Sequence, residues 1–389
     1  MNMVPSTEIV LGSTGMVRLP PVAGGAVESY VCDLARMARS LDYRVTLVSS
    51  LRDKHAVAYD HVVRVASPFD RFPLPAPASS LAHLLGGGST GLSIASYLKS
   101  LPSHTDTIVH MNEEISASIV SKVRRDIPKV FTLHNPPPEV GAPTSGILES
   151  TLRRTGNLIA MRFVARSFDG IIALNSVLKD YLIREWDIPK ERVFCLPLPI
   201  DTDLYAPPPE DKIRKGVLFV GRFDTRKNVL LLLKAFRLID ERIGLTLVGD
   251  GPLKNEISAY IRANGFQDRV SVRSRVSIEE LIRAYQESSV FAFPSDLEAY
   301  PRAVVEAASC GLPVVMADLP INQDFIDHGF VRTYNRGNTR ELASCIESVH
   351  FDAAGKTKMG YLARQHILNN NGFSAFSNRL SSIYKVLAR

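Results

Sequence analysis

Paired cysteines, dense basic tracts and long apolar runs are all missing from this 389-residue chain. Cys32, Cys195, Cys310 and Cys345 lie far apart and form no CxxC pair, which argues against a metal cluster or a disulfide framework and for free thiols in a reducing compartment. The net charge of +6 comes from 46 Lys+Arg against 40 Asp+Glu. No Lys/Arg block stands out in either half, so nucleic acid is not an expected partner. A slightly basic surface suits anionic substrates or an anionic membrane face. The opening MNMVPSTEIVLGS lacks a charged segment followed by an apolar one, so no secretory leader is read there. No apolar run approaches the ~20 residues that span a bilayer; VLLLLKAF at 229–236 is interrupted by Lys234 and reads as a buried helix. The expectation is a cytoplasmic protein, soluble or at most peripheral to a membrane, of unknown oligomeric state.

What is present is rhythm. Short apolar runs, EIVLG (8–12), RVTLVS (44–49), TIVHM (107–111), KVFTLH (129–134), GIIAL (170–174) and RVFCL (192–196), alternate with helical patterns. In GAVESYVCDLARMARSL, Val27, Tyr30, Val31, Leu34, Ala38 and Leu41 share one helical face. This is the βαβ pattern of a parallel sheet covered on both faces. A proline-rich, charged stretch at 196–216 reads as a hinge, and the rhythm restarts with GVLFV (216–220), LTLVG (245–249), VFAFP (290–294) and PVVMA (313–317). The predicted class is α/β: two Rossmann-like doubly wound parallel-sheet domains. They occupy 1–198 and 216–372, with a linker at 199–215 and a closing helix at 373–389 expected to return to the first domain. Residues 67–104, with prolines near 73–77 and GGGSTG at 86–91, read as the least regular part, either a mobile acceptor loop or, more simply, a long surface insertion.

Three motifs carry chemistry. In VGRFDTRKN (220–228) a strand ends, Gly221 lets the backbone turn closely, and Arg222 and Lys227 precede a new helix. Ligands of doubly wound sheets sit at strand C-terminal ends and anions at helix N-termini, so the two cations suit a pyrophosphate, Arg by its planar fork and Lys as a point charge. Solvated loop charges are the plainer alternative. PPVAGGAVES (20–29) offers Gly24 and Gly25 between a strand and a helix, either as a phosphate-approaching turn or as a merely tight one; it is neither GxGxxG nor a Walker loop. In SDLEAYPRAVVEAASCGLPVV (295–315), Pro301 suits a first helical turn, which puts Glu298 in the preceding loop and Glu306 one turn inside. Carboxylates accept from adjacent hydroxyls, so Glu298 suits a transferred sugar and Glu306 a ribose diol. Capping and surface roles are the bland reading of the same pair.

In order and spacing, VGRFDTRKN, VGDGP (248–252) and PSDLEAYPRAVVEAASCGLPVV resemble the retaining nucleotide-sugar glycosyltransferases of family four, with the GT-B fold of two Rossmann-like domains facing across a cleft. The match has the form GR-x4-K, then E-x7-E followed by A-x-x-x-G-x-P-V-V. PPVAGGAVESYVCDLA, TIVHMNEE, VFTLHNPPP, FDGIIALNSVLKDYL and PIDTDLYAP also have counterparts in that family. The resemblance implies that Arg222 and Lys227, with Gly221, hold the donor diphosphate, that Glu298 holds the donor sugar and that Glu306 holds the ribose. It implies that the backbone of Ala299, Tyr300, Pro301 and Arg302 faces the sugar, that Arg275 and Val276 lie by the base, and that Gly24 and Gly25 abut the diphosphate from across the cleft. His134, ending VFTLH, matches the active-site histidine near the transferred sugar, although a lone strand-end histidine is more often structural. Two departures stand out: Leu198-Pro199 where the family has Asn-Gly, and Ser274 where it has Gly.

The implied reaction is glycosyl transfer with retention, from a nucleotide sugar (UDP- or GDP-sugar first) to a small-molecule, lipid-linked or glycan acceptor. No metal and no cofactor is expected, since no DxD-type motif stands where a divalent ion would be needed; the nucleotide sugar is a co-substrate. A GT-B epimerase or hydrolase would use the same residues. A retaining glycosidase would leave Arg222 and Lys227 unexplained, and a non-catalytic sugar-binding module would suit the hinge. Acceptor contacts fall to loops such as 67–104 and 135–146.

Overall fold

The computed structural model describes residues 7–12, 26–50, 61–65, 80–135, 158–159, 161–209, 213–274, 276–298 and 300–389. The chain divides into two compact units. The first runs to Pro199, apart from 141–144, and takes in residues from Phe376 to the end; the second runs from Ile200 to Ala375.

The first unit is built on a seven-stranded sheet: β1 (Glu8–Gly12), β2 (Arg44–Ser50), β3 (His61–Val65), β4 (Thr107–Met111), β5 (Lys129–Leu133), β6 (Gly170–Ala173) and β7 (Val193–Cys195). The order is β3-β2-β1-β4-β5-β6-β7, and every pairing is parallel. Strands β1, β4, β5 and β6 are buried along their whole length, which is why they read as continuous apolar runs rather than alternating ones. The strand order reverses between β1 and β4, the topological switch where doubly wound sheets open a crevice at their C-terminal ends.

The glycine-rich stretch expected to be irregular is instead part of a helix, Ser80–Ser100. The glycines serve packing against the helix Glu114–Val120. A Cβ at Gly87 would lie 2.6 Å from the Glu113 carboxylate, and one at Gly91 would lie 2.8 Å from the Ser116 Cα. Helical glycine costs about 1 kcal/mol against alanine, and here it permits a closer approach than any side chain would.

The second unit repeats the plan with six strands: β8 (Val217–Val220), β9 (Leu245–Val248), β10 (Val270–Arg273), β11 (Val290–Phe293), β12 (Val314–Ala317) and β13 (Val331–Tyr334). The order is β10-β9-β8-β11-β12-β13, again all parallel. Its switch lies between β8 and β11. The core gathers Phe219, Phe223, Leu232, Phe236, Leu247 and Ile257, so the run VLLLLKAF is the buried helix that its single lysine suggested. No helix among the described residues is long and apolar enough to cross a membrane.

A buried polar chain crosses the first unit. Tyr384, on the helix Phe373–Leu387, meets His110 Nδ1 at 2.8 Å; His110 Nε2 meets Thr132 Oγ1 at 2.7 Å; and Thr132 meets the Tyr30 hydroxyl at 3.3 Å. Burial, helped by the nearby His134, pushes the His110 imidazole down to about 3, so the ring stays neutral with both nitrogens satisfied. Tyr384→Phe should strand His110 Nδ1 without opening a cavity and cost about 1–3 kcal/mol, read as a lower urea midpoint at unchanged m. In the unfolded chain the same imidazole titrates near 6.5. Its contribution is therefore intact above that pH and is lost as pH falls toward 3, by up to about 1.4 kcal/mol per pH unit. His110→Gln should flatten the pH dependence of unfolding between pH 6.5 and 5; an unaltered slope would contradict this.

Candidate active site

The loops after β8 and β11 meet at the switch of the second sheet. After β8, Gly221 and Arg222 lead into a single 3-10 turn, Thr225–Lys227. Asp224 caps it by accepting from the Arg226 and Lys227 amides at 3.1 Å. Asn228 closes the turn in the left-handed region (φ 52°) before the next helix begins. That conformation suits asparagine. Its side chain donates to Asp296 Oδ2 at 3.1 Å, while Arg336 donates to Asp296 Oδ1 at 2.9 Å. The turn is thus fixed at both ends, and Lys227 is presented from it.

From the other side, the Asp296 amide and the Ser295 hydroxyl both donate to the Arg226 carbonyl, at 2.9 and 3.2 Å. Lys227 Nζ forms an ion pair with Glu298 Oε1, which also accepts from Ser295 Oγ at 3.0 Å. The Lys227 ammonium stands 5.3 Å from the centre of the Phe293 ring, a cation–π contact that helps hold it when desolvated. Both partners of the pair are largely covered, with side chains 17% and 20% exposed. Arg222 differs: its side chain is 64% exposed, and its nearest carboxylate, Asp224, is 3.9 Å away. Glu298 Oε2 has no hydrogen-bond partner among the described residues. The site thus holds a positioned lysine, a loosely held arginine and one open carboxylate oxygen.

A third loop, VGDGP, clamps this arrangement. Gly221 N donates to the Val248 carbonyl, Phe223 N to the Asp250 carbonyl and Leu253 N to the Phe223 carbonyl, at 2.9–3.0 Å. Gly249 (φ 153°) passes so close that a Cβ there would fall on the Gly221 carbonyl oxygen. Ser274, the residue that departs from the family pattern, donates its hydroxyl to the Gly249 carbonyl at 3.2 Å, so the substitution adds a tie to the same loop. Val276, half-buried, follows at the base of a full capping box on the helix Ile278–Glu287.

Glu306 lies one turn inside the helix Arg302–Ser309, whose N-cap is Pro301. Its carboxylate is buried and accepts from the Tyr285 hydroxyl at 2.9 Å and from Arg302 Nε at 3.1 Å. Burial first, and Glu306 second, push the Tyr285 phenol well up, so it remains a donor. Tyr300 is buried beneath, with Asn371 donating to its hydroxyl at 3.0 Å. Pro301 itself offers no capping side-chain bond to the first turn of this helix. Glu298 and Glu306 share no hydrogen bond: one belongs to Lys227 and Ser295, the other to Tyr285 and Arg302.

In the first unit, His134 follows β5. Its Nε2 lies 3.1 Å from Asn112 Oδ1, and Asn112 Nδ2 donates to the Gly12 carbonyl at 3.2 Å. With its amide nitrogen so engaged, Asn112 presents oxygen to the ring. Nε2 must therefore carry the proton, leaving Nδ1 as an acceptor. The Tyr30 ring packs edge-on at 4.8 Å, and burial pushes the imidazole down to about 3.

The structure therefore brings Gly221, Arg222, Lys227 and Glu298 together, and sets Glu306 with Tyr300, Pro301 and Arg302 along one helix start. Gly24, Gly25, Arg275 and Ala299 lie outside the described residues, as does 136–146. Asp224, Ser295, Asp296, Tyr285 and Asn112 are not singled out from sequence, though all but Tyr285 sit inside stretches that are, Asn112 in TIVHMNEE. Gly249→Ala should displace the Gly221–Phe223 loop. We expect a loss of about 1–3 kcal/mol in unfolding free energy, read as a lower urea midpoint.

Two family models together span most of the chain: Glycosyltransferase Family 4 matches residues 23–204, and Glycosyl transferases group 1 matches 204–366. EpsF of Bacillus subtilis (strain 168) is 32% identical over 247 residues, which is 59% of this chain and 62% of EpsF. The matches to the first curated relatives span 52–62% of those proteins' length. Sucrose-phosphate synthase from Thermosynechococcus elongatus superposes with a TM-score of 0.79 at 19% identity, over 98% of this chain and 99% of that one. Anabaena HepE in complex with UDP-glucose gives 0.72 at 17% identity, over 98% and 100%. At those identities the two structures establish the common fold. By the family models, the chain belongs to the family-four glycosyltransferases and is built on the two-Rossmann-domain GT-B plan.

Proposed function

We propose that the protein transfers a sugar from a nucleoside-diphosphate sugar to a hydroxyl of an acceptor, with retention at the anomeric carbon and without a metal. The observation that carries this reading is the Lys227–Glu298 pair at the β8/β11 switch with the exposed Arg222 beside it. That is where a doubly wound sheet receives its ligand. The donor diphosphate takes Arg222 and draws the Lys227 ammonium toward itself. Glu298 Oε2 accepts from a hydroxyl of the sugar, and Glu306, held by Tyr285 and Arg302, accepts from the ribose diol. A UDP-sugar is the first donor to test, because the similarly folded HepE has been captured with UDP-glucose.

In the transfer step the bond from the anomeric carbon to the diphosphate oxygen breaks while the acceptor oxygen bonds to the same face. The electron pair leaves with the diphosphate, which also takes the acceptor's proton. Negative charge grows on the leaving oxygens, where Arg222, Lys227 and the first-turn amides of the helix Arg302–Ser309 stabilise it. Preorganised cations of this kind act on the transition state more than on the ground state. His134, held neutral to about pH 3, is too weak a base to take that proton efficiently at neutral pH. Its role is to hold a hydroxyl through Nδ1.

A panel of UDP-, GDP-, ADP- and TDP-sugars, read by thermal shift and then by turnover with acceptors, should single out one nucleotide. NMR of the product should show the donor's anomeric configuration preserved, and an inverted product would exclude the front-face reaction. Lys227→Ala and Glu298→Ala should each lower kcat by about 10²–10³-fold with folded circular-dichroism spectra. Near-wild-type turnover in either would remove the assignment.

A further inference from the structure

The opposite end of the second sheet carries a recess that glycosyl transfer does not use. It lies at the N-terminal ends of β8, β9 and β10, about one strand length (~10 Å) from the Arg222 end, and has a volume of about 550 Å³. Five cationic side chains line it, Arg214, Lys215, Arg242, Arg269 and Lys356, against one lining carboxylate, Asp268.

Their partners compensate that charge only in part. Of the five, only Arg242 forms an ion pair among the described residues, with Asp240 at 2.7 Å, and the same carboxylate lies within electrostatic reach of Arg269. Arg214 donates to the Cys310 and Gly311 carbonyls, Arg269 to the Asp240 carbonyl at 2.9 Å, and Lys356 to the His350 carbonyl at 2.8 Å. Carbonyls orient a cation but do not neutralise it. Lys215 is exposed and has no side-chain partner among the described residues. Burial pushes the Lys356 ammonium down, the nearby Arg214 adds to that, and Asp352 opposes it. The floor is glycine: Gly216 (φ 68°) admits no side chain, because its Cβ would lie 2.8 Å from the Gly244 carbonyl oxygen. A Cβ at Gly244 would meet only the Arg269 carbonyl, at 3.6 Å. Like charges fixed around an open recess repel one another, and a multivalent oxyanion relieves that repulsion.

We propose that this recess is a second anion site, taking a phosphate-bearing ligand independently of the donor site. The phosphate comes either from a free small molecule or from a lipid headgroup, and the experiment separates the two. The probe is inorganic pyrophosphate, titrated calorimetrically into the full chain and into an Arg222→Ala/Lys227→Ala variant that disables the donor phosphate site. The variant should keep one binding event with affinity within about twofold of the wild-type second site. Adding Lys215→Ala/Lys356→Ala should weaken that event at least tenfold. Gly244→Glu, which places a carboxylate in the recess at a position with room for it, should do the same while the ligand-free melting temperature stays near wild type.

In a parallel arm, phosphatidylglycerol vesicles are compared with phosphatidylcholine vesicles by sedimentation. Vesicle binding lost on Lys215→Ala/Lys356→Ala, without pyrophosphate binding, assigns the headgroup as the source; the converse assigns a soluble phosphate. Loss of all binding in the Arg222→Ala/Lys227→Ala variant, or binding indifferent to both Lys215→Ala/Lys356→Ala and Gly244→Glu, overturns the proposal.

Discussion

The ion pair between Lys227 and Glu298 joins two loops 71 positions apart in sequence, and the candidate site depends on it. Strands β8 and β11 are neighbours in the sheet, but their connections run to opposite faces, which leaves the crevice into which both residues reach. A partly buried pair contributes little net stability, whereas removing one partner leaves the other charge poorly solvated. The pair's value is therefore geometric. It keeps the Lys227 ammonium at the ends of β8 and β11, where the proposed reading brings phosphate charge, and keeps one oxygen of Glu298 open. Every nearby tie serves that placement: the Asp224 cap, the left-handed Asn228 with its Asp296 contact, and the Ser295 bond to the Arg226 carbonyl.

The first sheet shows the same principle at its own switch. Asn112, just past β4, is oriented by the carbonyl of Gly12 at the end of β1, and in turn it sets which nitrogen of His134 carries a proton. In both units a side chain at the end of one central strand is read out by the backbone or side chain of the loop beside it. Behind His134, the Tyr30–Thr132–His110–Tyr384 chain supplies partners for groups that burial would otherwise penalise. Burial itself keeps the His134 imidazole neutral, pushing it down to about 3.

The central strands were legible in sequence because they are buried on both faces and so appear as unbroken apolar runs. Of the four edge strands, β7 was read as RVFCL (192–196), and the other three were not. β10 (VSVR) and β13 (VRTY) alternate burial and exposure and carry arginines on the open side, while β3 closes the other sheet as a five-residue edge. The helix Ser80–Ser100 was hidden by its glycines, whose meaning lies in the contact with the helix Glu114–Val120, a partner local propensity does not see. Of the candidate site, Arg222, Lys227, Glu298 and Glu306 could be named from sequence because they stand at strand ends and a helix start, and the structure brings the first three together. Tyr285 and Asn112 could not be, since a hydroxyl or amide that orients another side chain leaves no local pattern. The direct Lys227–Glu298 pairing leaves no local pattern either, because its partners stand 71 positions apart.

A crystal structure of the protein with its preferred nucleotide sugar tests the central claim most directly. The account predicts the β-phosphate oxygens within about 3.5 Å of Arg222 and Lys227, with Glu298 turned from Lys227 toward a hydroxyl of the sugar. A donor bound with its diphosphate away from the ends of β8 and β11, and with the Lys227–Glu298 pair undisturbed, would contradict it.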